Sequence, residues 1–283
     1  MKVVCTLDDL SSHTGGCLVP TMGALHEGHA SLIDRGVRAG MPVVVSIFVN
    51  PTQFGPAEDF DRYPRTLEAD LEICERHGAE AAWTPSVEDL YPDGAEAARA
   101  AANLLRLPPV ATTPRLEDGC RAGHFAGVAQ VVSRLFDLAR PALSVFGEKD
   151  FQQLRLIEEL VETDRRGERR WPHLRILRGD TVREADGLAM SSRNRYLSPD
   201  DRSRAVGISK ALQTAHAAQR PATAENLMAQ TLEAHGLEVE YAVVRDPANL
   251  MPVDDLRGPT RALIAARLGE VRLIDNAPLP AWP

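Results

Sequence analysis

The run Pro42-Val-Val-Val-Ser-Ile-Phe-Val49 limits the possible folds more than any other stretch. It is nearly continuous in apolar, largely β-branched side chains and lacks the polar alternation of a one-sided strand. A strand of this kind is covered on both faces, which places it in a parallel sheet flanked by helices. The neighbouring patterns agree. Residues 17–19 predict a strand and 30–39 a helix. A polar, proline-containing loop over 50–63 leads to a helix at 65–77 that ends at Gly78, and 79–83 predict a strand. Val128, Val131, Val132, Leu135 and Phe136 recur at helical spacing within 128–139, with Pro141 beyond. Strands at 142–146 and 174–177 bracket a helix at 151–161. Alternating strands and helices predict an α/β fold, a doubly wound parallel sheet, with ligands beyond the carboxyl ends of its strands.

The pattern changes near Gly179. Helices over about 199–218 and 222–235 precede strands at 237–245 and 260–267 and a short one at 271–274, which predicts a smaller α+β unit. The expected domains are therefore 1–179 and 180–283. The alanine-rich stretch 94–102 predicts a surface helix without chemistry. The net charge of −8 and the lack of basic tracts beyond Arg165-Arg166 and Arg169-Arg170 disfavour a nucleic-acid partner. They leave room for a small anionic substrate. Four scattered cysteines without a Cys-x-x-Cys pair fit reduced thiols in the cytoplasm. No signal peptide and no membrane-spanning run is expected.

Three polar clusters carry the chemistry. In residues 19–29, Val-Pro-Thr-Met-Gly-Ala-Leu-His-Glu-Gly-His, two histidines flank a glycine where a strand hands over to a helix. Glycine allows close backbone approach, and a helix start favours anions. Imidazoles three apart on that turn can donate to phosphate oxygens. Gly147-Glu-Lys-Asp150 and Met190-Ser-Ser-Arg-Asn194 are clusters of the kind that hold phosphates and ribose. A helix-capping or core histidine, a capped polar turn and a serine-rich turn are the structural alternatives.

VPTMGALHEGH, SIFVNPTQFGPAEDFDRYPRTLEAD, GHFAGVAQVVSRLF, FGEKDFQQL and READGLAMSSRNRYL together resemble the pantoate–β-alanine ligase family. The resemblance runs in the family's order over nearly the whole chain. It implies a Rossmann-like domain of the HxGH nucleotidyltransferase superfamily, a small C-terminal lid domain and a homodimer. It also implies ATP-dependent condensation of (R)-pantoate with β-alanine through pantoyl adenylate, usually with Mg2+. On this resemblance His26, His29 and Lys149 are the catalytic candidates. Nucleotide contacts are implied at Met22, Gly23, Ala24, Leu25, His26, Glu27, Gly28 and His29. Further contacts are implied at Gly147, Glu148, Lys149 and Asp150, at Val182, and at Met190, Ser191, Ser192 and Arg193. Asp150 would bind the ribose hydroxyls. Gln53 and Gln153 would bind pantoate, and Asp70 would support magnesium, although an acidic residue on an exposed helix face is the commoner arrangement. Val128, Val131 and Phe146 could contact the pantoate methyls, but core packing is the favoured reading.

Two departures concern local shape: Ser11–Gly16 stands where the family carries a longer helix, and Ala122 where proline is usual. Another HxGH nucleotidyltransferase would need cationic groups for a second phosphate, where this chain has neutral Gln53 and Gln153. An inactive nucleotide-binding regulator would lack one of His26, His29 and Lys149.

Overall fold

The computed structural model describes residues 1–55 and 60–279, so part of the predicted 50–63 loop, residues 56–59, lies outside the described residues. The chain divides into two compact units. The first comprises residues 1–112, 117–148 and 152–180; the second comprises 113–116, 149–151 and 181–283.

The first unit is a six-stranded parallel sheet. Its strands are β1 (Lys2–Val4), β2 (Cys17–Thr21), β3 (Val43–Ile47), β4 (Ala81–Trp83), β5 (Leu143–Gly147) and β6 (Arg175–Gly179), in the order β1-β4-β3-β2-β5-β6. The predicted α/β, doubly wound class is what is found. The predicted first strand, at 17–19, is the second: Lys2–Val4 pairs at the edge beside β4, followed by the short helix Leu7–Ser11. Three residues give too short a pattern to stand out.

Strand periodicity sorts the core into two layers. Cys17, Val19, Val43, Val45, Leu143 and Val145 share one face with Leu32 and Ile33 of the helix Glu27–Arg38 and with Cys74 of the helix Leu67–Arg76. On the other face Phe146 meets Phe136 of the helix His124–Ala139 edge to face, ring centroids 6.3 Å apart. Val128, Val131 and Phe146 are buried, as core residues should be. Going outward from β2, the chain first builds β3 and β4 on one side and then returns to build β5 and β6 on the other. The carboxyl ends of β2 and β5 therefore flank the topological switch point. Gly147 and Gly179 are paired neighbours on β5 and β6. A Cβ on Gly179 would lie 2.1 Å from Leu32 Cδ2, so this glycine lets the Glu27–Arg38 helix sit close over the sheet.

The second unit packs the helices Gly207–Ala215 and Pro221–Ala234 on an antiparallel sheet of β7 (Glu238–Arg245), β8 (Thr260–Leu268) and β9 (Val271–Leu279). The helix predicted over 199–218 is two, Pro199–Ala205 and Gly207–Ala215. At Gly207 a Cβ would lie 2.7 Å from His235 Cβ, so the chain passes too close there for a larger residue. The last strand, expected to stop at 274, runs on to Leu279, with Asp275 and Asn276 in its middle. Those polar residues disguise it, since both are depleted in strands. Among the described residues no helix is long and apolar enough to cross a membrane.

Candidate active site

Beyond β2 the chain reverses through two successive left-handed residues, Gly23 (φ 79°) and Ala24 (φ 51°). Glycine is needed at 23 because a Cβ would lie 3.0 Å from Asp70 Oδ2 and 3.2 Å from Ile47 Cγ2. The reversal turns two backbone donors inward. Ala24 N–H donates to Asp70 Oδ2 (3.0 Å) and Leu25 N–H to Asp70 Oδ1 (2.8 Å), while Thr66 Oγ1 adds a bond to Oδ1 (3.1 Å). Asp70 is 1% exposed. This corrects the exposed-acid reading: both carboxylate oxygens are bonded by the loop and by Thr66.

The turn delivers His26 to the N-cap of the helix Glu27–Arg38, where its Nδ1 accepts from Gly28 N–H at 3.1 Å. The capping alternative is thus realised, and it has a chemical consequence. A ring nitrogen that accepts carries no proton, so the neutral imidazole holds its proton on Nε2 as a donor. His29 stands one turn later; the two rings lie 4.2 Å apart, tilted by 46°. Both histidines and Met22 are half-buried, whereas Glu27 is exposed.

Gln53 ends the short 3-10 turn Pro51–Gln53 beyond β3. Its Nε2 donates to Met22 Sδ (2.9 Å), which brings the β2 and β3 loops together. Asn50 holds its other end: Nδ2 donates to Gln53 Oε1 (3.1 Å) and to Gly127 O (3.2 Å), while Oδ1 accepts from Thr52 N–H and from the Tyr91 hydroxyl (2.8 Å). Burial pushes the Tyr91 hydroxyl up to about 12, so it remains a donor. His124 Nδ1 bonds the Gln53 carbonyl (3.0 Å), and Arg121 Nη1 donates to His124 Nε2 (2.9 Å). Gly127 admits the turn, since a Cβ there would lie 2.5 Å from Thr52 O. Sequence reasoning assigns none of Asn50, Tyr91, His124 or Gly127 a role. The stretch GHFAGV is a visible signal, but the partner of each residue is distant in sequence. The Gly94–Ala102 helix also takes part, as Arg99 Nη2 donates to Pro51 O (2.8 Å).

The two glutamines of FQQL separate sharply. Gln152 is buried and engaged, donating to Val110 O and Asp118 Oδ1 and accepting from Glu117 N–H. Gln153 is half-buried. At the end of β5, Glu148 lies 3.8 Å from Arg178, whose guanidinium also grips Glu158 through two bonds of 2.7 and 2.8 Å.

Residues 149–151 pack with the second unit. The Lys149 side chain is 20% exposed, with Nζ 3.9 Å from Asp150 Oδ2. In the same unit Arg183 and Ala189 form an antiparallel bridge, closed by Met190 N–H on Val182 O at 3.0 Å. Beyond it, Ser191 Oγ accepts from Arg193 N–H (3.3 Å), Ser192 is buried, and Asn194 Nδ2 ties back to Glu184 (2.8 Å) and Ala189 O (3.1 Å). The site candidates thus form two groups. His26, His29, Gln53 and Gln153 stand in the first unit; Lys149, Asp150, Val182 and residues 190–193 stand in the second.

A doubly wound sheet that presents paired histidines from the strand beside its switch point defines a nucleotide-handling α/β enzyme. Comparison with known proteins narrows that class. The chain belongs to the family described as Pantoate-beta-alanine ligase, whose family model matches residues 4–278. It is 48% identical to the pantothenate synthetase of Nocardioides sp. over 93% of this chain and 78% of that one. It is 49% identical to that of Xanthomonas euvesicatoria over 92% and 90%. Among solved structures, pantothenate synthetase from Thermus thermophilus superposes with a TM-score of 0.86 at 38% identity, covering 98% of this chain and 99% of that one. The Francisella tularensis pantoate-beta-alanine ligase, complexed with β-γ ATP and β-alanine, gives 0.77 at 32% identity over 98% and 97%.

Proposed function

We propose that His26, His29, Gln53 and Lys149 are the principal working residues of an ATP-dependent pantoate–β-alanine ligase. The observation that carries this reading is the capped His26, whose Nε2 carries the donor proton beside His29.

The chemistry has two displacements. A carboxylate oxygen of pantoate attacks the α-phosphorus of ATP, forming the acyl–O–P bond while the bond to pyrophosphate breaks. The β-alanine amine then attacks the acyl carbon, the amide forms, a proton leaves the nitrogen, and AMP departs. Neither step needs a nucleophile from the protein, so its contribution is positioning and charge stabilisation. His26 Nε2–H and the His29 ring would donate to phosphate oxygens as negative charge builds. Lys149 would balance charge on the phosphates. Ser191, Ser192 and Arg193 supply hydroxyls and a guanidinium suited to the outer phosphates. Gln53, its amide held by Asn50, would orient pantoate; a neutral amide suits a hydroxy acid better than a second phosphate group. Asp70 holds the loop from behind, and no step is routed through a metal on it. Four scattered cysteines without a Cys-x-x-Cys pair suit a reducing, cytoplasmic setting.

The test is pyrophosphate release from purified protein with ATP, Mg2+ and (R)-pantoate. Release should require pantoate, and β-alanine should sustain turnover. His29→Ala should lower it by about 10²–10⁴-fold while the far-ultraviolet spectrum is unchanged. Pantoate-independent release, or a fully active His29→Ala, rejects the assignment.

A further inference from the structure

Asp275 and Asn276 are buried polar neighbours in the middle of β9. Consecutive strand residues point to opposite faces, so the two side chains serve different sides of the sheet. Asp275 pairs in register with Ile264 and shares the helix-covered face with Leu273 and Ala277. There its carboxylate receives Arg183 through two bonds, Nη1 to Oδ2 at 2.6 Å and Nη2 to Oδ1 at 3.0 Å. Arg183 Nη1 also donates to Gly187 O (3.0 Å), closing the hairpin whose exit is the Met190–Arg193 segment.

Asn276 serves the other face. Its Nδ2 donates to the Lys149 carbonyl at 2.8 Å, and its Oδ1 accepts from Arg261. The Arg261 guanidinium lies over the Phe151 ring, 3.8 Å from the centroid. The segment 149–151 is therefore gripped at both ends, at the Lys149 carbonyl and at the Phe151 ring.

Resting on the ligase reading above, we propose that Asp275 and Asn276 are positioning residues of the reaction. From one strand they fix the Lys149 backbone on one face and the hairpin leading to Ser191, Ser192 and Arg193 on the other. The two phosphate-directed segments lie more than forty residues apart in sequence. One dipeptide sets both, so their spacing does not depend on two separate anchors. Buried Asp and Asn are costly choices for a strand interior, and simple packing would favour an apolar residue at each.

The discriminating variant is Asn276→Asp, which keeps the shape and an acceptor for Arg261 but places an oxygen against the Lys149 carbonyl. Steady-state pyrophosphate release should show the KM for ATP raised by about tenfold, the size of one hydrogen bond, with the KM for pantoate within about twofold of wild type. A purely structural role would reduce the active fraction and leave both KM values alone. Calorimetric titration with ATP gives the second readout. In a Lys149→Ala background, Asn276→Asp should weaken ATP binding by no more than about twofold, because its effect passes through Lys149. Unchanged or equally raised KM values, or a full additional loss in that background, overturn the proposal. Should Asn276→Asp fail to fold, Asp275→Asn carries the test from the other face. It is isosteric and still accepts from Arg183, and the same selective rise in the KM for ATP is expected. Wild type is assayed in parallel. If it shows no pantoate-dependent release, the ligase reading falls and this inference with it. If wild type is active and the variants show no selective change, this inference alone falls.

Discussion

The loops that carry the histidines and Gln53, and the hairpin that leads to Ser191, Ser192 and Arg193, are held by different physics. In the first, the anchors are buried and aimed at backbone: Asp70 receives the Ala24 and Leu25 N–H groups, Asn50 donates to the Gly127 carbonyl, and His124 bonds the Gln53 carbonyl. In the second, ion pairs dominate the 181–190 hairpin. Arg183 pairs with Asp275, while Arg202 bonds Glu184 (2.6 Å) and lies 2.7 Å from Asp186. A backbone-directed anchor fixes a turn atom by atom and is insensitive to salt. The Arg202 clamps on Glu184 and Asp186, between part-exposed side chains, are looser and screened. The contrast fits the chemistry proposed for each. The histidines must be placed against one phosphorus, whereas the hairpin has only to supply charge and hydroxyls to mobile outer phosphates.

The largest effect should come from Asp70→Ala. It removes a charged acceptor from three donors and leaves two buried backbone N–H groups without partners, a cost of about 3–5 kcal/mol. Urea unfolding measures the stability loss. Pyrophosphate release should fall at least about 10²-fold, because the turn that aims both histidines loses its support. A variant of near-normal activity would show that the left-handed turn holds itself, and the contrast between the loops and the hairpin would collapse.

Gly127→Ala comes next. Its Cβ would press on the Thr52 carbonyl and the Gln53 backbone, both 2.5–2.6 Å away, and backbone yields little. The expected destabilisation is about 1–3 kcal/mol. The sharper readout is selective: displacement of Gln53 should raise the KM for pantoate more than that for ATP. Equal rises would mean that the turn does not carry the pantoate site.

These anchors mark the limit of what the sequence discloses. The central strand run, the alternation around it and the paired histidines are legible because each is local, a period or a short spacing. Asp70 stands out in the sequence but is misread there: helical spacing puts it on a helix, and nothing local says that this helix turns it toward a loop some 46 residues earlier. His124 and Gly127 lie inside a recognisable stretch without a role, because their partners belong to the 50–53 turn. β9 reads as ending at 274 because Asp275 and Asn276 look like loop residues until Arg183 and Lys149 stand beside them. Long-range satisfaction of a buried polar group has no sequence period, and the missed residues share that property.

The smallest effect, and the one that separates the two anchoring modes most cleanly, is Asp186→Asn. The hydrogen bond from the Arg202 guanidinium holds the Asp186 carboxyl below the usual carboxylate range. A carboxylate whose folded pKa is depressed adds stability above its unfolded value, near 3.9, and that contribution is lost as the pH falls through the folded value. Asp186 is 43% exposed on its side chain, so screening limits the difference between wild type and variant at pH 7 to no more than about 1 kcal/mol. Urea midpoints should therefore differ slightly at pH 7 and converge at a pH below the depressed value. They should also converge at pH 7 in about 1 M salt, where the Debye length falls to about 3 Å. The Asp70→Ala deficit, seated in buried hydrogen bonds to backbone, should survive the same salt. If the Asp186→Asn difference persisted in salt while the Asp70→Ala deficit shrank, the charged clamp would be the buried anchor, and the assignment of the two modes to the loops and the hairpin would be reversed.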